Sequence, residues 1–253
     1  MRALYIYPHP DDESFGPASI MAKQRRLGHE VHLLTLTRGG ATKARHRYGL
    51  DVEQMGELRT AEMRSVAAVL ELSGLTLLDL PDGLLKEIDP RIIEDAVAAE
   101  IRRVRPHIVV TYPVHGVSGF HDHLVTHAVV KRVFVALREE MPELQRLAMI
   151  ALSRESAEAM SSGPFRLHGS TPEEIDCVER ASASDIEKNR EALRCYVSYM
   201  RTIEQAGVIE SRESANPFEL FDERHDPPLA DLFAGLRDDD GTAHAPREKR
   251  RRR

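Results

Sequence analysis

Three acidic residues stand in a row, Asp11-Asp12-Glu13, behind His9 in the run Pro8-His9-Pro10-Asp11-Asp12-Glu13. A phosphate-binding turn would need glycines and open backbone amides here, whereas three carboxylates repel a pyrophosphate and attract a cation. His9 and Asp12 are three residues apart, a spacing that turns both side chains to one side of a strand-to-helix turn. Asp11, between them, points elsewhere and could act as a base beside a bound ion without being a ligand. The competing explanation is local: Asp11 or Asp12 caps the following helix, with Glu13 in its first turn. The two flanking prolines tilt the balance toward the ion, because they rigidify the turn as a pre-organised ligand set requires.

A second group lies in Tyr112-Pro113-Val114-His115-Gly116-Val117-Ser118-Gly119-Phe120-His121-Asp122-His123, with His127 one helical turn further on. One histidine of this loop, together with His9 and Asp12, makes a set of two imidazoles and one carboxylate. That is a catalytic zinc pattern with a position left open for water; iron(II) uses the same donors. With neutral imidazoles the zinc unit carries a net charge of about +1, which brings water to a deprotonable state near neutral pH, so hydrolysis of an amide or ester is its natural chemistry. Leu124 follows His123, so the H-E-x-x-H protease motif is absent.

Both groups need strand ends to carry them. Leu4–Tyr7, Glu30–Thr37, Leu75–Leu80, His107–Thr111 and Leu147–Leu152 are apolar runs of strand length. Helical segments are expected at 14–27, 52–72, 90–104 and 124–139, the third opened by Asp89-Pro90. Such alternation predicts an α/β fold: a Rossmann-like three-layer sandwich, its sheet mostly parallel, with helices on both faces. Ligands bind beyond the carboxyl ends of such strands, where both groups fall. Residues 39–50 are expected as a loop and 185–200 as a helix; beyond Ser153 the pattern otherwise weakens.

The chain has 253 residues, 42% hydrophobic and 30% charged, with a formal net charge of −6. This is the balance of a globular protein and argues against a nucleic-acid-coating surface. Residues 1–235 are expected to form one domain and 236–253, ending in the basic Arg247–Arg253, a charged disordered tail. Two cysteines make no disulfide scaffold. No apolar run of about 18 residues predicts a membrane span, and no signal-peptide core is present, so a cytoplasmic location is the expectation.

These residues resemble the LmbE-like (PIG-L) family of zinc-dependent N-deacetylases. Pro8–Glu13 matches its [A/P]-H-P-D-D-E block, and Gly116–His123 its G-[V/I]-S-G-H-P-D-H block with two changes. Leu36-Thr37-Arg38-Gly39, the Arg59-x-x-Glu62 pair and Leu80-Pro81-Asp82 are similar to its intervening segments. The resemblance implies zinc ligands His9, Asp12 and His123, with Asp11 as general base toward the attacking water. It implies substrate contacts from Arg59 and Asp82; an ion pair of Arg59 with Glu62, or a solvated helix face, is the structural alternative. The family's first histidine of the second block is Phe120 here and its proline is His121, so His121 takes the acid role by a one-residue shift or another group supplies the proton. The implied activity is removal of an acyl group, acetyl above all, from an N-acetyl amino sugar conjugate. The alternatives are a non-catalytic metal- or sugar-binding module and an amidase acting on a non-sugar amide. The implied partner is a small-molecule substrate, with no membrane or nucleic acid, and the resemblance is compatible with a homo-oligomer.

Overall fold

The computed structural model describes residues 1–161, 166–211 and 214–244. In chain order the strands and helices are β1 (Arg2–Tyr7), α1 (Asp12–Phe15), α2 (Ala18–Arg26), β2 (Glu30–Thr37), α3 (Arg45–Tyr48), α4 (Val52–Val69), β3 (Gly74–Leu80), α5 (Pro90–Val104), β4 (Ile108–Thr111), α6 (His121–Leu137), β5 (Arg146–Ile150), α7 (Arg154–Met160), β6 (Cys177–Arg180), α8 (Ala183–Cys195), α9 (Met200–Ala206) and β7 (Ala215–Leu220). The strands form one sheet in the order β3-β2-β1-β4-β5-β7-β6. β1 to β5 run parallel, and β7 lies antiparallel to both β5 and β6. The sequence expectation of an α/β sandwich with a mostly parallel sheet holds.

The two-residue period of β1 makes the layers. Ala3, Tyr5 and Tyr7 face one core with Ile20 and Met21 of α2, Met63 and Val66 of α4 and Leu193 of α8. Leu4 and Ile6 face the other with Ile93 and Val97 of α5 and Val130 and Phe134 of α6. Both faces of β1 are therefore dry, which explains its unbroken apolar run. From β1 the chain builds outward through β2 and β3, then returns to place β4 on the other side of β1. This reversal opens a crevice at the carboxyl ends of β1 and β4.

Several expectations need correction. The helix expected over 14–27 is divided into α1 and α2, because Pro17 lacks an amide hydrogen and pushes Gly16 out of helical geometry. The loop at 39–50 contains the short α3. The helix expected from Leu124 starts at His121, which puts Asp122 and His123 in its first turn. The helix expected over 185–200 ends at Cys195, and a 3-10 turn at Val197–Tyr199 leads into α9. Leu236, expected in the disordered tail, is 6% exposed in the core. Asp239 receives two hydrogen bonds from Arg2, at 2.7 and 2.8 Å, so this acidic residue is held by a basic group at the foot of β1. Residues 245–253, with the basic run, lie outside the described residues. Among the described residues no helix is long and apolar enough to cross a membrane.

Candidate metal centre

Asp11 is the N-cap residue of α1, but no side chain caps the helix. The Asp11 backbone is left-handed (φ 88°). The Asp12 carboxylate turns back instead: Oδ2 accepts the backbone N–H of His9 at 2.8 Å, and Oδ1 accepts the Tyr112 hydroxyl at 2.6 Å. Parallel pairing of Tyr5 with Val110 brings Tyr7 and Tyr112 side by side at the strand ends, their rings 5.1 Å apart and edge to face. Tyr112 also stacks on His123, with centroids 4.1 Å apart and planes at 13°.

His9, Asp12 and His123 meet here: His9 Nδ1 lies 3.5 Å from Asp12 Oδ2, and His123 Nε2 lies 3.4 Å from Asp12 Oδ1. The three could hold one metal ion. The hydrogen bonds behind the rings fit that use. His9 Nε2 donates toward Asp122 at 3.1 Å and Asp82 at 3.2 Å. His123 Nδ1 donates to the Gly116 carbonyl at 2.9 Å. The other nitrogen of each ring, His9 Nδ1 and His123 Nε2, faces the Asp12 carboxylate. Two imidazole nitrogens and an anion around one point suit a cation, and ligating histidines are held by such outer partners. A second group, His9 with Asp82 and Asp122, is less suited to a metal. Asp122 already accepts the N–H groups of Gly83 and Leu85, and Asp82 that of Ala41.

The electrostatics follow the same geometry. Burial works against protonation of His9, but Asp12, Asp122 and Asp82 outweigh it and raise its pKa well above the usual imidazole value. Burial would raise Asp12; His123 and His9 outweigh it and hold the carboxyl at about 2. Burial pushes Asp11 up to about 7 against the pull of Arg59, with Asp12 and Glu13 adding to the rise. Burial lowers His123.

Arg59 and Asp82 face protein groups. Arg59 is 3% exposed. Its Nη2 donates to Asp11 Oδ2 at 2.5 Å and to the Pro10 carbonyl at 2.6 Å, and its Nη1 to the Gly39 carbonyl at 3.1 Å. Neither the Glu62 pair nor a solvated face describes it, since Glu62 binds Ser198. His121 is exposed at the start of α6. Phe120 is 55% exposed and meets the His123 ring edge to face at 5.5 Å. His127 is drawn out of the centre, with Nδ1 bonded to the Tyr112 carbonyl at 2.9 Å.

Sequence reasoning missed Tyr112 and the role of Asp122. Tyr112 continues the strand alternation of Ile108 and Val110, so it reads as core, and only its place at the strand end hints at a polar task. Gly116 was also silent. Its φ is +63°, and a Cβ there would stand 2.8 Å from the Cβ of His123, so glycine lets the loop pass close behind that ring.

This topology, with a histidine–aspartate–histidine group at its switch point, defines an α/β protein able to hold a metal ion beside a buried carboxylate. The family described as PIG-L, GlcNAc-PI de-N-acetylase, matches residues 4–134, and the chain belongs to that family. A 1D-myo-inositol 2-acetamido-2-deoxy-alpha-D-glucopyranoside deacetylase of Kineococcus radiotolerans is 32% identical over 161 residues, covering 53% of this chain and 45% of its own. The chain thus spans about half the length of that relative. A probable N-acetyl-alpha-D-glucosaminyl L-malate deacetylase 2 of Bacillus subtilis is 30% identical over 161 residues, covering 63% of this chain and 71% of its own. In fold, the chain resembles the zinc-inhibited form of teicoplanin deacetylase Orf2, with TM-score 0.66, 14% identity and coverage of 88% and 100% of the two chains. It also resembles GalB, the 4-carboxy-2-hydroxymuconate hydratase of Pseudomonas putida KT2440, with TM-score 0.63, 15% identity and coverage of 88% and 97%. The fold therefore hosts more than one reaction, and the site must carry the functional argument.

Proposed function

We propose that the chain is a zinc-dependent hydrolase that removes an acetyl group from an N-acetyl amino sugar conjugate. The observation that carries this reading is the convergence of His9, Asp12 and His123 on one point, with the Asp11 carboxylate presented by the same turn. The 30–32% identity to sugar deacetylases supports the substrate class. When bound, zinc supplies a Lewis acid that polarises the amide carbonyl and makes water deprotonable near neutral pH.

The chain's own residues do the rest. His9, Asp12 and His123 hold the ion. Asp82 and Asp122 fix the His9 ring, and Gly116 fixes that of His123. Asp11 takes a proton from water as its oxygen bonds to the acetyl carbon; the C–N bond then breaks, and the proton passes from Asp11 to the departing amine, leaving acetate and a free amino sugar. His121, exposed at the start of α6, is the candidate to share the return of that proton, and replacing it with Ala tests this.

The test is metal analysis of the purified chain together with acetate release from N-acetylglucosaminyl conjugates. About one zinc per chain, with acetate formed and lost again in Asp11→Asn, is the expected result. Metal bound without hydrolysis across a panel of acylated sugars would favour a binding module, the reading that Phe120 in place of a titratable side chain would suit. Turnover of simple amides but not sugars would favour an amidase.

A further inference from the structure

Four consecutive residues far beyond the family match, which ends at residue 134, contact the turn after β1, the loop after β2 and α4. Tyr196 donates its hydroxyl to Glu13 at 2.7 Å, the neighbour of Asp12. Val197 offers its carbonyl to the Tyr48 hydroxyl at 3.3 Å, on the loop after β2. Ser198 gives its N–H and hydroxyl to the two oxygens of Glu62, at 2.7 and 2.8 Å. Tyr199 lies against Arg59, its ring centroid 5.1 Å from the guanidinium carbon. One short turn therefore grips two residues of α4, Arg59 and Glu62, that lie one helical turn apart.

Both terminal nitrogens of Arg59 are engaged on the inner side of that grip, while its buried Nε has no hydrogen-bond partner among the described residues. Its two terminal nitrogens serve Gly39, Pro10 and Asp11, one face is against Tyr199, and it is buried. Among the described residues, the other Asp11 oxygen, Oδ1, accepts no hydrogen bond, so Arg59 holds one oxygen and leaves the second for proton transfer. Asp11 needs such a hold, because its backbone is in the left-handed region and Asp12 and Glu13 follow it directly. A lysine could not replace the arginine, since only the planar fork reaches the three acceptors together.

We infer that Arg59 is a positioning residue for Asp11, set by the Tyr196–Tyr199 turn, and not a substrate ligand. The inference rests on the proposed role of Asp11 and departs from the substrate contact that family resemblance implies for Arg59.

The experiment is a double-mutant cycle on the full chain loaded with zinc, using acetate release from N-acetylglucosamine conjugates. Arg59→Gln is expected to lower kcat by about 30-fold or more with KM changed by less than about twofold, the mark of an interaction that serves the reacting group. In the Asp11→Asn background the same substitution is expected to change the residual rate by less than about twofold, because both residues act as one unit. Arg59→Lys should recover little. Calorimetric affinity of the Asp11→Asn protein for N-acetylglucosamine should be unaltered by adding Arg59→Gln. A raised KM with kcat kept, a weakened affinity in that titration, or equal losses in both backgrounds would overturn the inference. Tyr199→Leu gives an independent reading should Arg59→Gln fail to fold: it should lower kcat several-fold at constant KM and zinc content, and a normal kcat would overturn the part given to the turn. An unmodified, zinc-loaded chain that releases no acetate would count against the proposed function, whereas additive losses in an active parent would count only against the role of Arg59.

Discussion

Asp12 is the residue on which the centre depends, since both imidazoles and the Tyr112 hydroxyl converge on its two oxygens. Asp12→Ala should leave less than about a tenth of the bound zinc measured by elemental analysis, because a two-imidazole remnant lacks the anionic ligand. Tyr112→Phe removes only an outer hydrogen bond, and such partners are worth about 10–100-fold in metal affinity, so a competition titration should register a loss in that range while the fold persists. At this scale the sequence was legible where chemistry is contiguous. His9, Asp11 and Asp12 sit in one turn, and His123 stands among other histidines. It was illegible where a role depends on what a side chain meets across the fold. Arg59 and Glu62 look like a helical ion pair, yet α4 sends them to different partners because the Tyr196–Tyr199 turn lies over it.

Elements decide how firmly those residues are held. Gly116 lets the loop after β4 pass behind His123; Gly116→Ala forces a left-handed alanine and a 2.8 Å clash with the His123 Cβ. Thermal unfolding should register a loss of about 1 kcal/mol or more, and zinc affinity should fall with it. β1 to β5 could be read as strands because burial on both faces makes their sequences continuously apolar. β6 and β7 could not. β6 has only four residues, Cys177–Arg180, and β7 contains Pro217, a residue that argues against an interior strand. Pro217 is accommodated opposite Val178, where its carbonyl still accepts the N–H of Ala151. Tertiary pairing thus overrode a local signal that pointed the other way.

The molecule as a whole is closed by contacts that join distant parts of the chain. Arg26 of α2 pairs with Asp185 at the start of α8, at 2.9 and 2.7 Å. Burial would raise the Asp185 pKa, but the hydrogen bonds from Arg26 and Ser182 outweigh it and lower it. A carboxyl depressed in the folded state contributes stability above its unfolded pKa of about 3.9, and this is lost as pH falls through the folded value. Denaturant titrations should therefore find Asp185→Asn less stable than the parent at pH 7, with the gap narrowing below about pH 4. Truncation after residue 235 should lower Tm by several degrees, since burial of Leu236 alone is worth about 2 kcal/mol. The segment escaped sequence reading because its acidic run looks like a solvated tail until Arg2 is placed opposite it. The chain contains no tryptophan, so its ultraviolet emission comes from tyrosine. With Tyr112 hydrogen-bonded to one member of the ion-binding group and stacked on another, the protein carries a built-in fluorophore whose brightness should follow zinc occupancy without any added dye.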